Sequence, residues 1–104
     1  MMQANALKAA ALLKSLANPS RLMVLCALIT REYTVSELEE LTGLSQSALS
    51  QHLARLRDED IVSSRRDAQR VFYRLSNPHV AAILETMHGI YCGVDALQPR
   101  STDI

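Results

Sequence analysis

TVSELEELTGLSQSALSQHLARLRD, residues 34–58, carries two helical periods separated by one tight turn. Val35, Leu38 and Leu41 recur at helical spacing, and Thr34 followed by Glu37 has the spacing of a capping box. A helix of barely two turns therefore starts after Thr34 and is terminated by Gly43. Ser45 can cap the next helix, along which Leu49, Leu53 and Leu56 line one side while Gln46, Ser47, Ser50, Gln51 and Arg55 fall on the other. Two short helices joined at Thr42-Gly43-Leu44-Ser45 form a helix-turn-helix arrangement.

Working towards the N-terminus, Ala9, Leu12, Leu13, Leu16 and Ala17 follow the helical template and make residues 4–17 an amphipathic, alanine-rich helix. Asn18 can cap and Pro19 suits a first helical position, so a second helix begins there and ends near Thr30, with Leu22, Leu25, Cys26 and Ile29 on its apolar stripe. Towards the C-terminus the period changes after Asp60. Residues 61–75 are rich in β-branched and aromatic residues, interrupted by Asp67-Ala68-Gln69, and read as a hairpin. Asn77-Pro78 restarts a helix whose stripe is Val80, Ile83, Leu84, Met87 and Tyr91, until Gly93 and Pro99 break the pattern. The expectation is one domain over residues 1–93 and a flexible tail over 94–104, mainly α with a two-stranded β wing.

A chain of 104 residues with 48% hydrophobic and 21% charged residues has ordinary globular composition, which excludes fibrous and disordered classes. No apolar run approaches the roughly 20 residues of a membrane helix, and the N-terminus lacks a signal peptide's apolar stretch, so a cytoplasmic protein with no membrane partner is expected. Three glycines without a phosphate-cradling loop leave nucleotide chemistry unsupported. The histidines at positions 52, 79 and 88 are scattered and form no nucleophile-base constellation, so no enzyme and no cofactor are expected.

The net charge is zero, yet the charge is segregated. Residues 1–31 hold four bases and no acid, and residues 32–44 hold four acids and no base. Residues 45–75 carry six arginines against four acids. One basic face on an otherwise acidic body fits an anionic partner. A helix fits the major groove of duplex DNA, where amide and hydroxyl side chains read base edges, and Gln46, Ser47, Ser50 and Gln51 are of that kind. Arg55, Arg57, Arg65, Arg66 and Arg70 suit phosphate contacts or the flanking minor groove, which fix register without reading much sequence. A solvated polar helix face and a salt-bridged hairpin are the plainer reading of the same residues. His52, at the edge of the second helix of the pair, either packs or touches phosphate.

LLKSLANPSRLMVLCAL, LSQSALSQHLARLRDEDIV and RRDAQRVFYRLS together resemble the ArsR-type family of small dimeric bacterial repressors, over residues 7 to about 93. The resemblance implies a winged helix-turn-helix homodimer joined through its first and last helices. It implies that Ser45–Arg57 enters the major groove of an inverted-repeat operator, and that an inducer releases the DNA.

Many members of that family sense metals, and neither of their usual sites is intact here. The helix before the DNA-reading helix has Val35-Ser36-Glu37-Leu38-Glu39-Glu40-Leu41 where cysteines would stand. On the last helix Asn77 replaces an aspartate and Ile90 occupies the second histidine position. Glu85, His88 and Cys92, at i, i+3 and i+7, remain a conceivable zinc trio or a solvated helix edge. The two cysteines are far apart in sequence and form no CxxC. Cys26 reads most simply as a small core residue, whereas Cys92 falls beside His88 and Glu85, off the Met87–Tyr91 stripe. Leu22-Met23-Val24-Leu25-Cys26-Ala27-Leu28 and Tyr91-Cys92 resemble the dithiol, sulfide-responsive branch of the family. That resemblance implies that reactive sulfur species or another oxidant link Cys26 to Cys92 and so alter DNA binding. Because the cytosol is reducing, such a bond would be transient.

Overall fold

The structure is a computed structural model and describes residues 2–91. The chain forms α1 (Met2–Leu16), α2 (Pro19–Thr30), β1 (Tyr33–Thr34), α3 (Val35–Thr42), α4 (Gln46–Asp58), β2 (Val62–Asp67), β3 (Arg70–Leu75) and α5 (Pro78–Tyr91). This is the expected five-helix winged arrangement. Cys92, Gly93 and the expected tail over 94–104 lie outside the described residues.

The caps anticipated from sequence are formed. The Asn18 side chain accepts the Arg21 N–H at 3.1 Å with Pro19 at the first helical position, which starts α2. Arg21 Nε donates to the Ser15 carbonyl at 2.7 Å and ties α1 to α2 at their 90° corner. Thr34 Oγ1 accepts from Glu37 N at 3.2 Å while the Glu37 carboxylate accepts from Thr34 N at 2.9 Å, completing the capping box of α3. Gly43 closes α3 at φ 77°, a left-handed conformation that glycine adopts without penalty, and its N–H donates to Glu39 O at 2.9 Å. Ser45 Oγ accepts from Ala48 N at 3.1 Å and starts α4.

The wing is the expected two-stranded hairpin, β2–β3, turning at Ala68-Gln69. The sheet extends one strand beyond it, because β1 adds to β3 through Tyr33↔Tyr73 and Thr34↔Phe72, giving the antiparallel order β1-β3-β2. Two residues of strand carry no periodicity of their own, so this pairing exists only through its partner strand.

One core joins every layer. Leu16 of α1, Val24, Leu25 and Leu28 of α2, Leu38 of α3, and Leu49, Leu53 and Leu56 of α4 are buried with Ile61, Val62, Val80 and Leu84. The first and last helices are anchored weakly. Among its apolar residues α1 buries only Leu16 and leaves Leu7 and Leu13 exposed, and Ala17, placed on its stripe from sequence, is exposed too. The stripe of α5 is buried at Val80 and Leu84 and surfaces at Met87 and Tyr91, and Ile90, off that stripe, is exposed as well. The radius of gyration is 15.0 Å, against about 13 Å for a compact domain of about 100 residues. No single helix among the described residues is long and apolar enough to cross a membrane.

Candidate nucleic-acid interface

The three leucines that fix α4 to the core also decide what it shows. With Leu49, Leu53 and Leu56 fully buried, the rest of the helix surface presents Gln46, Ser47, Ser50, Gln51, Arg55 and Arg57, all exposed. Ser47 Oγ lies 3.3 Å from the capping Ser45 Oγ, so it sits at the very start of the helix. Arg55 Nε donates to Glu59 Oε2 at 3.3 Å, one turn on. An exposed pair at i, i+4 contributes about 0.3–0.5 kcal/mol and is easily exchanged for another anion. Strand β2 packs against α4, which puts the wing beside the helix-turn-helix.

The wing arginines form two sets, not the single group of the sequence reading. Strand pleating sets Arg65 opposite Phe72 and Arg66 opposite Val71, so these neighbours point to opposite faces of the hairpin. Arg65 and Arg70 both lie over the Phe72 ring, at 4.7 and 4.9 Å from its centroid. On that same side are two carboxylates. Glu32 receives Arg65 Nε at 3.1 and 3.0 Å and Arg65 Nη2 at 2.7 Å. Glu37 stands 3.7 Å from Arg70 Nη2 and 3.6 Å from Arg31 Nη1, while Arg31 covers the Tyr33 ring at 3.9 Å. Arg66 has no ion pair among the described residues.

These contacts set the charge states. The hydrogen bonds from Arg65, opposed by desolvation and helped by the charges of Arg65 and Arg74, hold Glu32 below the usual carboxylate range, and the same pairing raises Arg65. The backbone N–H of Thr34 leads in lowering Glu37, with Arg31 and Arg70 adding to it. His52 is half-buried, and burial first, then the charges of Arg21 and Arg55, push its pKa below the ordinary value. At neutral pH it is an uncharged imidazole, which supports packing over phosphate attraction.

Sequence reasoning missed Glu32, Glu37, Arg31 and Arg74 as part of this surface. The acidic block that contains both glutamates was visible, but the 33-residue separation between Glu32 and Arg65 follows no local spacing rule.

Away from this surface, α2 packs on α5 and leaves a groove of about 130 Å³ lined by Cys26, Ile29, Thr30, Glu85 and His88. Cys26 is half-buried rather than a sealed core residue. The structure thus brings Cys26 to the Glu85 and His88 edge of the last helix. Cys92, four positions after His88, lies outside the described residues. No group of three His, Cys, Asp or Glu residues fit to hold a metal ion occurs among the described residues.

Comparison with known proteins agrees with this architecture. Residues 18–64 match the family model described as bacterial regulatory protein, arsR family. The HTH-type transcriptional regulator YgaV of Escherichia coli is 51% identical over 92 residues, covering 88% of this chain and 93% of the relative. The transcriptional activator HlyU of Vibrio cholerae is 50% identical, covering 88% and 84%. The structure of reduced HlyU from that organism superposes with a TM-score of 0.84 at 50% identity, covering 88% of this chain and 96% of the other. The crystal structure of the transcriptional repressor BigR from Xylella fastidiosa gives 0.80 at 41% identity, covering 88% and 93%. These relatives are transcriptional regulators and not enzymes. With its capped helix-turn-helix, its exposed amide and hydroxyl face on α4 and its arginine-bearing wing, the chain belongs to the ArsR family of DNA-binding transcriptional regulators.

Proposed function

We propose that the protein acts in the bacterial cytoplasm as a homodimeric repressor of an inverted-repeat operator, and that reaction of Cys26 with Cys92 changes its hold on DNA. Gln46, Ser47, Ser50 and Gln51 read base edges, while Arg55, Arg57, Arg65, Arg66 and Arg70 hold phosphates. Dimerisation runs through α1 and α5, whose Leu7, Leu13, Met87, Ile90 and Tyr91 are exposed among the described residues. Whether occupancy silences or activates a promoter depends on where the operator lies, and the names of HlyU and BigR carry opposite signs.

The observation that carries the sensing half is the groove between α2 and α5, where Cys26 meets Glu85 and His88, which precede Cys92 in sequence by seven and four positions. In the reaction the two thiols give up two protons and two electrons: a sulfur-free oxidant that accepts them leaves a direct disulfide, whereas a polysulfide is reduced to sulfide and can leave one or more of its own sulfur atoms in a longer bridge. A longer bridge tolerates a wider gap than the roughly 7 Å between Cα atoms that a direct disulfide allows. Such a link ties α2 to the dimer helix. Because the two DNA-reading helices of a dimer must sit about one DNA turn apart, a small reorientation of α5 misplaces both.

Cys26→Ser and Cys92→Ser test this reading. Each variant is expected to bind DNA like the parent when reduced and to remain bound after polysulfide treatment. A variant that is released like the parent overturns the dithiol switch. A second reading, metal sensing through Glu85, His88 and Cys92, draws on the presence of the first two in that groove. Release by zinc in the presence of a reductant, lost in His88→Ala, would favour it.

A further inference from the structure

We infer that Glu32, a residue that itself contacts no base, is a positioning residue for DNA binding: it holds Arg65 of the wing in the orientation in which that arginine meets a phosphate. The inference rests on the reading that Arg65 contacts DNA.

The geometry of the pair carries the argument. The carboxylate takes Arg65 side-on, through Nε and Nη2, at 2.7–3.1 Å. A guanidinium has five N–H donors in a planar fork, and the side-on arrangement leaves both hydrogens of Nη1 and one of Nη2 available to a second anion. Nη1 of Arg65 makes no hydrogen bond or ion pair among the described residues. The other restraint is the Phe72 ring, 4.7 Å from the guanidinium carbon. A carboxylate on one edge and a ring against one face leave a long side chain little rotamer freedom to lose when a phosphate arrives.

Stability alone does not account for this arrangement, because a surface ion pair is screened by water and salt and the Arg65 side chain is half exposed. Nor does Glu32 cancel the attraction of the wing for DNA. Four guanidiniums, those of Arg31, Arg65, Arg70 and Arg74, share this side with two carboxylates, Glu32 and Glu37, so it stays cationic.

The charge of Glu32 and its positioning role push in opposite directions, which makes the test sharp. Binding of a labelled random-sequence duplex is measured by anisotropy over a salt series for the parent, Glu32→Gln, Arg65→Ala and the double variant, with thermal midpoints for each. Arg65→Ala is expected to weaken binding and to lower the slope of log affinity against log salt by about 1. Glu32→Gln is expected to weaken binding about two- to ten-fold in the parent, although it removes a negative charge, and to cause no loss in the Arg65→Ala background. Tighter binding by Glu32→Gln overturns the inference and makes Glu32 a repelling charge. An equal loss in both backgrounds also overturns it, because Glu32 would then act without Arg65. If Arg65→Ala leaves affinity and salt slope unchanged, the reading of Arg65 as a DNA contact fails and the inference falls with it.

Discussion

Gln51 and His52 are adjacent on α4 and show how one helical step separates two roles. Gln51 is exposed on the side opposite the buried leucines, and its amide can pair with two groups on an adenine edge. Gln51→Ala is expected to cost about 1–3 kcal/mol on the operator and to relax preference at a single base pair, as measured on a set of substituted duplexes. Uniform weakening on every duplex would make Gln51 a backbone contact. His52 is half-buried, and its protonation is disfavoured in the folded chain by burial and then by the charges of Arg21 and Arg55. Its native pKa lies below the ordinary 6.5, so as the pH falls through 6.5 the unfolded chain takes up the proton first. Stability is therefore full above 6.5 and declines through the lowered native value. His52→Gln should flatten that decline in thermal midpoints measured across pH, and an unchanged slope would remove His52 as its source. The exposed face of α4 was readable from helical period alone. The environment of His52 was not, because Arg21 comes from a distant helix.

At the scale of elements, the caps were the most legible feature, since Asn18, Thr34, Glu37, Gly43 and Ser45 act on backbone within a few positions of themselves. Strand β1 and the carboxylates that meet the wing were not legible, because Tyr33 pairs with Tyr73 and Glu32 with Arg65 across long stretches of chain. The wing turn carries a local strain. Ala68 sits at φ 60°, where an L residue with a Cβ pays about 1–2 kcal/mol that glycine does not. Ala68→Gly is expected to raise stability by about 1 kcal/mol in urea unfolding, less what the added chain freedom of glycine takes back in the unfolded state. A net loss of stability would show that this freedom outweighs the strain.

Over the whole molecule, the apolar surface is unevenly distributed. The core holds α2, α3, α4 and β2 firmly, while α1 and the second half of α5 project residues such as Leu7 and Ile90, the latter 60% exposed. A chain that leaves these on its surface gains by covering them with a second copy. Ile90→Asp is expected to shift the protein towards monomer in sedimentation and to weaken operator binding by far more than it weakens binding of one half-site. A dimer that persists in Ile90→Asp would move the interface elsewhere. The helix-turn-helix and the wing could be read from sequence because each is a local pattern. The groove that joins Cys26 to Glu85 and His88 required the packing of α2 on α5, which no spacing reveals.

The measurement that bears most directly on the account is fluorescence anisotropy on a duplex from the region upstream of the protein's own reading frame. Reduced and polysulfide-treated protein are compared, with the intact mass of each sample recorded. The account predicts tight binding by the reduced protein, lost on treatment together with a mass change that links Cys26 and Cys92 within one chain. Tight binding that persists after the two cysteines have been linked would contradict it.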